Sequence, residues 1–321
     1  MKVENASIGR PQTLPSIQRT KRPWTYYLRR DWQLYALLLI PLGFVLAFKY
    51  APMSGLVLAF KDYKIAQGVW GSEWVGFQVF QDIFSRYDFA RAVRNTLLLN
   101  TLDLMFSFTA PIILALLLNE LRNGFYKRIN QTLLYLPHFL SWIIIGAIAY
   151  QLLGEGSGVI NNLIERMGGN RIPFLQKDHY WLISYLVIGV WQSMGWGTII
   201  YLAAISNINP ELYEAAVMDG AGRWRKAWNV TLPSIRPTIV TLLIMNLGRV
   251  MEGSFERVYA LMNRAATEFT TTIPVLVYRW GIEGGNFSRA TALGLFQSVI
   301  GLILVLIADR IAKKLGEDGL I

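Results

Sequence analysis

Residues able to do covalent chemistry are scarce in this chain, whereas residues able to recognise a partner occur in groups. There is no Cys, and the only His are His138 and His179, far apart in sequence. A thiolate nucleophile, a disulfide framework and a His-based metal centre are therefore not expected. No Gly-x-x-x-x-Gly-Lys-Ser/Thr run is present, so no nucleotide site of that kind is expected here. What remains is a set of polar groups inside apolar stretches: Asp103, then Trp191, Gln192 and Trp196, then Asn246, Arg249, Glu252 and Glu256. Charges at membrane depth are costly and face a partner, a cavity or a pathway. At about 100° per residue the last four share roughly 120° of one helix face. They read as lining a translocation path or a subunit seam, or as an ion-pair network joining Arg249 to Glu252 or Glu256. Trp faces stack on sugars, although packing between helices is their commoner use. For Asp103, and for His138 after Pro137, a structural hydrogen bond is the first expectation.

Such groups need apolar rods to hold them. The chain is 53% hydrophobic and 16% charged, against about 25% charged in soluble proteins. Eleven Trp and fifteen Tyr suit aromatic belts at two membrane interfaces. The net charge of +10 could suggest nucleic acid, but the cations lie in tails and in loops between apolar blocks, so loops flanking membrane spans explain it more simply. Six blocks reach the roughly 20 residues a crossing needs, near 32–51, 95–118, 133–153, 181–205, 238–259 and 290–309. The chain then divides into a basic tail at 1–31, a first span with its outer loop at 32–94, a core of five spans at 95–312 and a tail at 313–321. Basic residues mark the tail, 119–132 (Arg122, Lys127, Arg128), 206–237 (Arg223, Arg225, Lys226, Arg236) and the C-terminus (Arg310, Lys313, Lys314) as inside. Both termini are thus expected in the cytoplasm. The outer loop at 52–94, with Trp70, Trp74 and Phe77, suggests an interfacial piece, and 154–180 suggests turns around a short helix at 158–167.

The polar loop at 206–237 carries the strongest pattern. Asn209-Pro210 is a helix start: Asn caps free N–H groups, and Pro at the first helical position loses nothing. Leu212, Ala215 and Ala216 follow at spacings of three and four, giving a small apolar face. Glu211 and Glu214 suit the positive helix N-terminus. Gly220 and Gly222 end the helix and allow a reversal. A basic, aromatic helix from Arg223 then returns to the membrane, with Pro233 and Pro237 at the entry to the fifth span. A plain connecting loop would also be capped; the joint pattern over twenty residues favours a docking arm.

Glu214-Ala215-Ala216, three residues, Gly220, nine residues and Val230-Thr231-Leu232-Pro233 resemble the EAA loop of binding-protein-dependent ABC importer permeases, with Val230 in the place of Ile. Residues from about 90 to 312 are similar to that family's transmembrane domain, including Asn95-Thr96-Leu97. Tyr135-Leu136-Pro137-His138-Phe139-Leu140-Ser141-Trp142 and Ala290-Thr291-Ala292-Leu293-Gly294-Leu295-Phe296-Gln297-Ser298 resemble its carbohydrate branch, near alginate and pectin-type importers. Met262-Asn263-Arg264-Ala265 departs from the Gly-Gly-Pro turn common in sugar permeases. The resemblance implies an all-α, six-helix permease of the type I importer fold in a bacterial inner membrane. It implies no catalysis on this chain, with ATP and Mg held by a dimer of partner ATPase subunits. A second permease subunit and a periplasmic solute-binding protein are also implied. Coupling would fall to Glu214, Ala215, Ala216, Leu212, Asp219, Gly220 and Ala221. An integral-membrane enzyme would need clustered acid, base or metal-binding groups at one face, and a secondary transporter would need inverted repeats.

Overall fold

The computed structural model describes residues 23–121, 124–248, 250–251, 253–263, 265 and 268–314. Among these, five helices are long and apolar enough to cross a membrane, and six if one bent pair is a single span. The architecture is all-α apart from a two-residue antiparallel pairing, Lys61–Asp62 against Glu73–Trp74.

The chain divides between Ser54 and Gly55 into two units. In the first, a short helix Trp24–Arg30 leads into α1 (Trp32–Val45). Arg30 donates to Asp31 at 2.9 Å and holds its carboxyl below the ordinary carboxylate range. No residue of α1 is buried; a helix apolar on all sides suits lipid.

The second unit is built around α2 (Tyr87–Asn119) and α6 (Asp178–Ser206), its most extensively packed helix pair. At 1.5 Å per residue, both exceed the roughly 30 Å hydrocarbon core. Pro111 lies inside α2, which membrane helices tolerate when neighbours satisfy the backbone. The Thr198 hydroxyl of α6, which donates to the Met194 carbonyl of its own helix at 2.6 Å, lies 3.3 Å from the Pro111 carbonyl, and Gly197 leaves room for the proline ring.

Two spans differ from the sequence expectation. The block at 133–153 is not one rod: α3 (Gly124–Tyr135) and the 3-10 turn Leu136–Phe139 meet α4 (Trp142–Leu153) at a 104° bend. Pro137 interrupts the ladder, Leu140 turns extended, and Ser141 caps α4 by accepting from the Ile144 N–H. The block at 238–259 is displaced as well. Helix runs without a break over Arg223–Leu247, its last part being α8 (Leu232–Gly248). Pro233 and Pro237 thus lie within the rod, not ahead of it. Beyond the turn at Gly253, where φ is +61°, α9 (Phe255–Leu261) starts afresh with Ser254 as its cap.

Further elements include α5 (Val159–Arg166), α7 (Pro210–Met218), α10 (Ile273–Tyr278) and α11 (Phe287–Lys314). The short helix α5 falls where turn chemistry suggested one. Arg171 donates to Glu165 at 2.6 Å, and this hydrogen bond, with the cation's charge, holds that carboxyl below its ordinary value.

Asn95 and Thr96 bind the segment before α10 to α2. Fully buried Asn95 donates to the Thr271 carbonyl at 2.9 Å and to the Glu268 carbonyl, while Thr96 Oγ1 accepts from the Ile273 N–H at 2.9 Å. Asn95→Ala leaves two carbonyls without that donor, at about 1–3 kcal/mol for a buried unsatisfied group. A thermal midpoint in detergent lowered by several degrees is expected, and an unchanged midpoint would contradict this role.

Candidate functional site

Two regions concentrate the functional groups. The first is a cavity of about 600 Å³ walled by α2, α6, α8, the bend after α3 and the turn before α9. It brings together Asp103, Gln192, Trp196 and Asn246 of the expected path residues, and adds His138 and Ser254. The Asp103 carboxylate accepts from Ser107 Oγ at 2.7 Å and from Arg257 Nη1 at 2.8 Å. Asn246 donates to the Leu242 carbonyl of its own helix at 2.8 Å. His138 stacks on Trp196 with ring centroids 4.6 Å apart and planes 5° from parallel. The wall therefore offers a carboxylate, amides, hydroxyls and flat rings, which suits a polyhydroxylated ligand bound by hydrogen bonds and stacking.

Trp191 lies elsewhere, in an apolar groove with Phe106, Ile183, Val187 and Met194. Asn246 and Glu256, expected on one stripe of one helix with Arg249 and Glu252, lie on two different helices. Helix α8 ends at Gly248, and Glu256 is an exposed residue in the first turn of α9. Arg249 and Glu252 lie outside the described residues.

The sequence reading missed Arg257. It is 3% exposed, donates from Nη2 to the Tyr185 carbonyl at 2.6 Å, and lies 3.7 Å from the Tyr185 ring centroid. A Cβ on Gly189 would overlap the guanidinium, so α6 needs glycine there. The available signal was a cation in the fifth apolar block opposite a lone acid, Asp103, in the second.

The second region is α7 with the turn after it. Asn209 Oδ1 accepts from the Glu211 N–H at 3.1 Å. At the other end the Ala221 N–H donates to the Ala216 carbonyl and the Gly220 N–H to the Val217 carbonyl, with φ of +74° at Gly220. This paired closure is the Schellman form of helix end, which favours glycine at that position. Tyr213 hydroxyl meets Thr231 Oγ1 at 3.0 Å, tying α7 to the rod that becomes α8. Arg223 reaches Glu120 at 3.7 Å, so α7 and the end of α2 share one end of the molecule. Leu212, Glu214, Ala215 and Asp219 are exposed, and Ala216 and Ala221 half-buried. No group of three or more His, Cys, Asp or Glu suited to a metal occurs among the described residues.

Residues 107–317 match the family described as "Binding-protein-dependent transport system inner membrane component". The chain is 47% identical over 297 residues to Protein LplB of Bacillus subtilis (strain 168), covering 92% of this chain and 93% of that one. It is 46% identical over 287 residues to the polygalacturonan/rhamnogalacturonan transport system permease protein YteP of the same organism, covering 89% of each. A chain of the bacterial alginate ABC transporter, solved in complex with alginate pentasaccharide-bound periplasmic protein, superposes with a TM-score of 0.85. Sequence identity there is 38%, covering 92% of this chain and 99% of that one. With its long apolar helices, its exposed capped arm and a family match spanning well over half of its length, the chain belongs to the inner membrane components of binding-protein-dependent transport systems, as a multi-pass transport subunit and not an enzyme.

Proposed function

We propose that this chain is one permease of an ATP-driven importer that carries an oligo- or polysaccharide, of the alginate or pectin kind, into the cytoplasm. The observation that carries the reading is mechanical. An exposed, doubly capped helix, α7, is fastened through Tyr213 and Thr231 to an unbroken helix, Arg223–Leu247, that extends to the cavity wall at Leu242 and Asn246. Both termini and α7 face the cytoplasm in this reading, where ATP is. A dimer of ATPase subunits holds ATP and Mg and receives Glu214, Ala215, Ala216, Leu212, Asp219, Gly220 and Ala221. A second, related permease closes the other side of the path, and a periplasmic binding protein delivers cargo.

Closure of the ATPase dimer on ATP moves α7 as a rigid lever and turns the spans outward; hydrolysis returns them. Asp103, Gln192, Trp196 and Asn246 line the path, with Arg249, Glu252 and Glu256 proposed from the sequence as further contributors; Trp191, in its separate apolar groove, is set aside. The similarity to YteP and to the alginate transporter supports a saccharide of the pectin or alginate kind as cargo. The test is purification from membranes followed by reconstitution in lipid. An ATPase is expected to accompany the chain, and its hydrolysis to rise several-fold with saccharide-loaded binding protein. Recovery without an ATPase, or a rate indifferent to cargo, would contradict the proposal.

A further inference from the structure

One cation joins four helices at the cavity wall. Arg257 of α9 contacts Asp103 of α2 and the Tyr185 carbonyl and ring of α6, and its guanidinium lies 5.6 Å from the Trp142 ring of α4. Three observations bear on this pairing. The partners differ in access: the Arg257 side chain is 4% exposed, whereas that of Asp103 is 33% exposed and lines the cavity. Arg257 Nε is buried with no hydrogen-bond partner among the described residues. A donor desolvated without compensation is a standing cost, and a rearrangement that satisfied it would compete with this one. Lastly, α9 follows the left-handed turn at Gly253, immediately beyond the long helix that starts near α7. The rod ends at Gly248 and α9 begins at Phe255, so the two are near neighbours along the chain.

We propose that Asp103 and Arg257 form a latch released by cargo. Saccharide hydroxyls entering the cavity hydrogen-bond to the Asp103 carboxylate, as the Ser107 hydroxyl does already, and weaken its hold on Arg257. The grip of α2 on α9 is then reduced to apolar packing, and α9 shifts against α6, to which Trp181 Nε1 still ties it by donating to the Leu261 carbonyl. Asp103 is a specificity position for a polyhydroxylated chain, and Arg257 is a positioning residue acting through Asp103. The idea rests on the ATP-coupled import reading above.

The experiment compares ATP hydrolysis by the assembled importer in lipid nanodiscs, with and without saccharide-loaded binding protein. Asp103→Asn is expected to raise the unstimulated rate about fivefold or more, bringing the stimulated-to-unstimulated ratio close to one. Arg257→Lys, which keeps charge but loses the planar fork, is expected to give an intermediate ratio. A purely structural role would lower both rates together and preserve the ratio, and that result would overturn the latch. A second readout does not depend on those variants. The chain has no cysteine of its own, so Val258→Cys, on α9 and 2% exposed, reports that shift through its reaction with a polar maleimide. Labelling is expected to accelerate several-fold with saccharide-loaded binding protein; an unchanged rate would overturn the latch even if Asp103→Asn failed to assemble. Wild-type importer without cargo-dependent hydrolysis would sink the import reading instead.

Discussion

Glu214→Arg is expected to abolish cargo-stimulated ATP hydrolysis while leaving the affinity of the binding protein for the permease intact. Glu214 is exposed on α7 and makes no ion pair among the described residues, so its charge is available to a basic residue of the ATPase. Close charge pairs at protein interfaces couple by about 1.5–7 kcal/mol. Reversal replaces that attraction with repulsion, and each 1.4 kcal/mol is about tenfold in an equilibrium. Loss on the order of a hundredfold is therefore expected. The helix itself should survive, because its supports lie elsewhere: Asn209 at its start, Gly220 at its end and Tyr213 against Thr231. Undiminished stimulation in the Arg variant, with the complex intact, would rule out a docking role for this carboxylate.

Gly195→Ala is expected to prevent accumulation of correctly folded chain. A Cβ at residue 195 would overlap the Leu134 carbonyl oxygen, a backbone atom that side-chain rotation cannot move aside. Alanine favours helix over glycine by roughly 0.5–1 kcal/mol, but overpacking costs about 1–3 kcal/mol or more, and here it separates α3 from α6. The neighbouring Trp196 would carry its His138 stack with it. Gly43→Ala is the internal control, since nothing lies within 4 Å of that position in α1, and it is expected to be neutral or mildly stabilising. Size-exclusion profiles and thermal midpoints in detergent read both variants. Equal behaviour of the two would show that the crossing is looser than its geometry implies.

The comparison of sequence and structure divides along physical lines. Composition located the spans because burying a helix in lipid takes a length of apolar residues, whatever its neighbours are. The caps of α7 were legible because Asn209, Pro210 and Gly220 act on adjacent backbone. The elbow between α3 and α4 was hidden: apolarity continues through Pro137 and Ser141, and hydropathy does not record direction. The helix from Arg223 was legible, but its continuation into the α8 rod was not, since Pro233 and Pro237 look like a boundary yet lie inside one helix. Gly189 and Gly195 owe their importance to what crosses them, Arg257 and Leu134, which no single segment reveals. Arg257 was hidden because a helical stripe through 246–256 assumes one continuous helix, and the turn at Gly253 removes that periodicity.

The unbroken helix from Arg223 to Leu247 has a consequence for how this chain can change over evolutionary time. A single inserted residue would advance everything beyond it by about 1.5 Å and swing it by roughly 100°. Asn246 would then turn away from the cavity while Tyr213 and Thr231 stayed in register. Surface loops can gain or lose residues freely, but here the residue count itself sets the angular phase between the two ends. Viable length variants should therefore come in steps near seven or eleven residues, which restore that phase to within about 20°.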